Sequence, residues 1–194
     1  LLDENGNVLR RYENSFFSFL HTVDISPDSK RALVVASGYD AIFEINLSDH
    51  RESFSWFSWD HGFNPDGDGI WLTSNTEIFK KYQDTGKPCL LIDPKDYGEA
   101  GIATALRSAH PNAARYNPYD NYSSIIVSIG HEGQIYRVQL ANGETTLVTD
   151  CLGQMPHGIL PWEGGWAITN TTAGQWYLFD SNFNHLQTVS AAEL

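Results

Sequence analysis

Four segments of this chain begin alike, and that repetition restricts the fold more than any other feature. Each opens with a histidine, passes a turn, and continues through short runs rich in β-branched and aromatic residues. The openings are His21 in HTVDISPD, His61 in HGFNPDGDG, His110 in HPNAARYNPYDN and His157 in HGILPWEGG. They lie about 40 to 50 residues apart, the length that one four-stranded propeller blade occupies.

Within the units, β-branched and aromatic runs bounded by Gly, Pro, Asn and Asp read as strands. The third unit is the clearest: NAARYNP, a turn at Tyr119-Asp120-Asn121, then SSIIVSIG, QIYRVQL and ETTLVTD, with Ala141-Asn142-Gly143 as a hairpin turn. The first unit repeats this with ALVVASG, AIFEINL and FSWFSW, and the fourth with HGILPW, GWAITN, QWYLFDS and HLQTVS. The second gives three strands, IWLTSN, EIFKKYQ and PCLLID, before Glu99 to Ala109 departs as a short helix or ordered loop. The opening LLDENGNVLRRYE reads as a hairpin around Asn5-Gly6, the outer half of a blade whose inner half would lie upstream.

The expected fold is an all-β propeller: one domain over residues 1–194 with about four and a half four-stranded blades, lacking its amino-terminal blades. The parent ring would be six-bladed, or a five-bladed variant. A β-sandwich or barrel also uses many short strands, but the recurring histidine openings favour the propeller.

Composition narrows the partners. Lys plus Arg total 12 against 24 Asp plus Glu, for a formal charge of −12. The few basic residues form no stripe, which excludes nucleic acid as an expected partner. No apolar run reaches the ~20 residues of a membrane helix, so no membrane partner is expected and the chain reads as soluble and acidic. Cys89 and Cys151 stand far apart with no partner at metal-ligand spacing, so neither a zinc site nor a disulfide framework is indicated, and the compartment stays open.

In a propeller the first strand of each blade lines the central channel, so equivalent residues at its start form a ring. Imidazole is a common metal ligand. His21, His61, His110 and His157 are therefore candidate ligands of a divalent metal ion, with His110 and His157 as candidate catalytic residues acting on a small polar molecule by lyase, hydrolase or oxidative chemistry. The plain alternative is that such a histidine only caps a strand. Asn112, Arg115 and Tyr116, in or beside the inner strand of the third unit, are candidate substrate-binding residues, although a salt bridge to one of the many acids explains Arg115 better. Asp60 could orient a neighbouring imidazole. His50 and His185 read as surface residues, and His131 as a turn residue that could face the same channel mouth as His110. GFNPDGDG has the Asp spacing of a calcium loop without its downstream glutamate and reads as a tight turn. No serine elbow, phosphate-binding glycine loop or Cys-x-x-Cys pair is present. A non-catalytic propeller that docks a protein partner on an acidic face is the alternative function.

The segment TDCLGQMPHGILPWEGGWAITNTTAGQWYLFDSNFNHLQTVS, Thr149 to Ser190, resembles the blade repeat of the NHL, streptogramin-lyase and gluconolactonase group of six-bladed propellers, in which Pro-His-Gly opens the inner strand. HPNAARYNPYDNYSSIIVSIGHEGQIYRV, His110 to Val138, is also similar to the His-x-Asn opening of arylsulfotransferase-type propellers. That second likeness implies a transferase in which His110 is the residue sulfated during turnover.

Overall fold

The structure, a computed structural model, describes residues 1–150 and 155–193; Cys151 lies outside them. Three antiparallel four-stranded sheets account for most of it. The first blade comprises β1 (Leu20–Ile25), β2 (Arg31–Ala36), β3 (Ala41–Asn46) and β4 (Glu52–Phe57). After an insert carrying β5 (Trp71–Thr73) and β6 (Cys89–Leu91), the second blade follows as β7 (Pro111–Tyr116), β8 (Ser124–Ile129), β9 (Gln134–Gln139) and β10 (Thr145–Thr149). The third is β11 (Pro156–Trp162), β12 (Gly165–Asn170), β13 (Gln175–Asp180) and β14 (His185–Ser190). Each is a simple meander, as expected for short strands joined by Gly- and Asn-bearing turns.

The second of the four expected units folds differently. The run EIFKKYQ lies not in a strand but in helix α1 (Thr76–Asp84), because Asn75 caps it: the Asn75 side chain accepts from the N–H groups of Glu77 at 2.8 Å and Ile78 at 3.2 Å. Its apolar residues Ile78, Phe79 and Tyr82 also fall at helical rather than alternating spacing. The strands on either side, β5 and β6, pair in parallel, an arrangement that requires such a crossover. Residues 58–110 are thus an insert between two blades. Glu99 to Ala109 is an ordered loop with two short 3-10 turns. At the amino end the expected hairpin is reduced to one bridge, Leu2 to Val8, around Gly6.

Side-chain layers set the order of the blades. One face of the first blade, with Leu33, Val35, Ile42 and Trp56, packs on Ala114, Tyr116, Ile125 and Val127 of the second. Its other face packs on the insert through Trp59, Leu72, Ile92 and Ile102. The second and third blades meet at Ala113, Ile126, Ile159, Trp166, Ile168 and Phe179. Alternating strand residues feed the two layers, as the period of 2 requires. Polar ties cross these layers too: the Trp56 indole N–H donates to Thr145 Oγ1 at 3.1 Å, and Arg115 pairs with Asp24 at 3.0 Å.

Trp56 is fully buried between the first two blades. Trp56→Ala should cost about 3–5 kcal/mol, measured by urea denaturation; a loss below about 1 kcal/mol would show that the two blades are not packed as described.

Candidate functional site

The inner strands β1, β7 and β11 share a local irregularity. Each carries an extra residue just after its first pair with the second strand: after Leu20↔Ala36, after Pro111↔Ile129 and after Pro156↔Asn170. Such bulges re-aim side chains at the rims of sheets. The residue before each pair has a positive φ, at Phe19 (44°), His110 (58°) and Met155 (62°). This aligns the blades residue by residue, and the alignment differs from the histidine register in the sequence. His21 and His157 are equivalent, but the matching residue of the second blade is Asn112; His110 takes the left-handed position two residues earlier. The signal was present in the pairs Pro111-Asn112 and Pro156-His157.

The structure brings four histidines together at this end. His21 lies 5.6 Å from His110 and 6.2 Å from His157, measured between ring centroids, and His131 stacks on His110 at 5.2 Å. His131 comes from the turn between β8 and β9 and joins the cluster. His61 does not. It stacks on Trp56 at 5.6 Å and faces Gly143, since it belongs to the insert and not to an inner strand.

His110 is held from two sides. Asp40, fully buried in the turn between β2 and β3, accepts the N–H of His110 at 2.9 Å and that of Ala109 at 3.1 Å, with Ser108 Oγ at 3.3 Å. This fixes the strained backbone of His110 from the neighbouring blade. Burial raises the Asp40 pKa above the usual carboxylate range, against the pull of these donors and of Arg107. From the other side, Arg107 Nη1 lies 3.3 Å from His110 Nδ1. A guanidinium only donates, so Nδ1 accepts and the imidazole proton sits on Nε2. Burial, then the Arg107 charge, then the neighbouring imidazoles push the His110 pKa down to about 4. Burial also lowers that of His21, helped by His157 and Arg107.

His157 has the opposite tautomer. Its Nδ1 lies 3.1 Å from the Met155 carbonyl oxygen and 3.1 Å from Thr171 Oγ1, and the Thr171 hydroxyl itself donates to that carbonyl. A carbonyl only accepts, so Nδ1 carries a proton, which in the neutral ring leaves the lone pair on Nε2. Asn112, 2% exposed, donates from Nδ2 to the Pro156 carbonyl at 3.1 Å, while its Oδ1 is buried without a partner. A buried acceptor left open in this way suits a donor on a bound molecule.

The donor set fits a divalent metal poorly. His110 would have to surrender its Nε2 proton with a guanidinium at its back, and among the described residues no group of three or more His, Cys, Asp or Glu is placed to hold a metal ion. The other substrate candidates of the inner strand are elsewhere. Arg115 donates to Ile159 O at 3.0 Å and pairs with Asp24, and Tyr116 donates from its hydroxyl to Glu44 at 2.8 Å. Both tie blades together at the far end of β7, roughly 16 Å of strand from His110. Arg107 and Asp40 had no repeat signal in the sequence: one belongs to the insert and the other reads as an ordinary turn aspartate.

The arrangement of the sheets has many solved counterparts. The chain is similar to virginiamycin B lyase from Staphylococcus aureus (9% identity, TM-score 0.54, covering 97% of this chain and 47% of that one). It is also similar to the WD40 repeats of RRP9 (10%, 0.55, 95% and 41%) and to the Cps50 (Swd1) β-propeller domain of Myceliophteria thermophila (11%, 0.54, 96% and 46%). The fold is a β-propeller. The chain spans less than half the length of these matched propellers. No family model matches it, and no curated protein does.

A histidine whose folded pKa lies below its unfolded value takes up its proton only on unfolding. Its contribution to stability is therefore complete above the ordinary value of 6.5 and is lost as pH falls towards about 4. For His110 the total is on the order of 3 kcal/mol. His110→Asn, which tolerates a positive φ, should show a shallower fall in melting temperature between pH 6.5 and 4.5 than the unsubstituted protein. Equal slopes would contradict the environment described for His110.

Proposed function

We propose that this chain supplies part of the active site of a propeller enzyme acting on a small polar molecule by lyase or hydrolase chemistry. His157 is the general base, and His110 is the hydrogen-bond donor to charge that develops on the substrate. What carries this is the opposite surroundings of the two Nδ1 atoms, a guanidinium donor at His110 and a carbonyl acceptor at His157, which place an N–H on His110 Nε2 and, in neutral His157, a lone pair on Nε2, with His21 near both rings. Neutral imidazole is a competent base near pH 7, and a fixed N–H donor stabilises negative charge on a substrate oxygen. Supporting it from outside is a matched structure that shows a catalytically inactive histidine-to-alanine variant of virginiamycin B lyase with quinupristin (12% identity, TM-score 0.54).

The proposed ring is six-bladed, with these three blades as half of it. In its favour are the coverage of under half of the matched propellers and the apolar outer faces. The third blade exposes Leu160, Trp162 and Trp176, and beside Leu20, Val23 and Ile25 of the first lies a groove of 480 Å³.

Those same apolar faces, with the WD40 neighbours, favour the second reading, a propeller that docks a protein partner. A sulfated His110 has less support. Its Nδ1 lone pair faces Arg107 and its Nε2 bears the proton, which leaves no free nucleophilic nitrogen.

The test is turnover of quinupristin and of a panel of small lactones and esters. His157→Ala should lower kcat by about 10²–10⁴-fold, whereas His185→Ala should leave it unchanged. Turnover indifferent to His157→Ala would remove the proposed base, and a folded protein that turns over none of these yet binds a protein partner through Trp176 would favour the docking reading.

A further inference from the structure

Arg107 is 5% exposed, and among the described residues no carboxylate forms an ion pair with it. Its Nε donates to the Ile102 carbonyl at 3.2 Å and its Nη1 to the neutral His110 Nδ1. The ion pairs among the described residues join Arg31 to Glu44, Arg51 to Asp49 and Arg115 to Asp24, and none includes Arg107. Asp40 feels the Arg107 charge, but its carboxylate oxygens are committed to the N–H groups of Ala109 and His110 and to Ser108. A cation removed from water without an ion-pair partner is costly. The Arg107 guanidinium carbon lies 5.1 Å from the Phe19 ring centroid, and its charge acts on the imidazoles of His110 and His21.

A carboxylate behind an imidazole makes the ring basic; a guanidinium behind it does the reverse. It draws the Nδ1 lone pair, keeps the proton on Nε2 and strengthens that N–H as a donor. The far side of His110 therefore presents a polarised N–H, and among the described residues no carboxylate is among the charges that act on His110 or His21, whereas Arg107 acts on both.

We propose that the molecule bound at the histidine cluster carries an oxyanion, a carboxylate or a phosphate- or sulfate-type group, received by His110 Nε2–H with Arg107 as the positioning residue behind it. This rests on the small-molecule reading above and names the class of its substrate. Two features of the cluster agree with that class. Arg107 gains a through-ring counterion, and His21 and His131 stand beside His110 as rings that never carry negative charge.

The experiment is a titration of the nitrogen-labelled protein with sodium acetate, sodium sulfate and inorganic phosphate at constant ionic strength in chloride, reading the histidine ring resonances. Saturable shifts at His110 and His21 are expected. Tighter binding of acetate would assign a planar carboxylate, and tighter binding of sulfate or phosphate a tetrahedral group. Arg107→Met should weaken binding at least tenfold and Arg107→Lys less, while His110→Asn, which keeps the backbone position, should abolish the response at His21. Titrations no different from chloride, or an affinity unchanged in a folded Arg107→Met protein, would overturn the proposal. Because binding is read without turnover, anion binding with no dependence of activity on His157 would sink the catalytic reading alone. Activity that depends on His157 but not on Arg107, with no anion binding, would sink this one alone.

Discussion

The Asp40 carboxylate reaches from the first blade to the main chain of the second, and the position of the site depends on that contact. It accepts the N–H groups of Ala109 and His110 where the chain leaves the insert and enters β7. Each of these hydrogen bonds contributes about 0.5–1.5 kcal/mol, and together they help to hold His110 at a positive φ that a bulky residue otherwise avoids. The contact sets the angle at which a 53-residue excursion, residues 58–110, returns to the propeller. Without it the imidazole would not meet His21 and His131.

The chemistry follows from what stands behind each ring. Arg107 behind His110 and a carbonyl behind His157 give two rings of the same residue type opposite roles at Nδ1, acceptor in one and donor in the other. Environment, and not identity, assigns the roles of donor and base. The same reasoning explains why the cluster is a poor metal site: a cage needs lone pairs directed at one centre, and the ring of His110 directs its only free lone pair at a guanidinium.

Much of the fold was legible in the sequence because propeller strands are short, alternating and bounded by turn residues. The strands of ALVVASG, AIFEINL, SSIIVSIG and QWYLFDS fall as their patterns indicate. EIFKKYQ misled because its aromatic and β-branched content suggests a strand, whereas the spacing of Ile78, Phe79 and Tyr82 is helical and the cap, Asn75, lies outside the run. The site was half legible. His21, His110 and His157 were recognisable by repetition, but repetition also drew in His61, whose spacing copies a blade while its chain segment is an insert. Asn112 was visible only as a neighbour of His110, although it occupies the true ring position. Arg107 and Asp40 left no trace, since a buried ion that acts through another residue has no spacing to announce it.

Ring nitrogen shifts of His110 and His157 at pH 7, measured by long-range proton–nitrogen correlation, report where each ring carries its proton. A proton on Nε2 of His110 and on Nδ1 of His157 is expected. The same tautomer on both rings, or a charged His110, would contradict it.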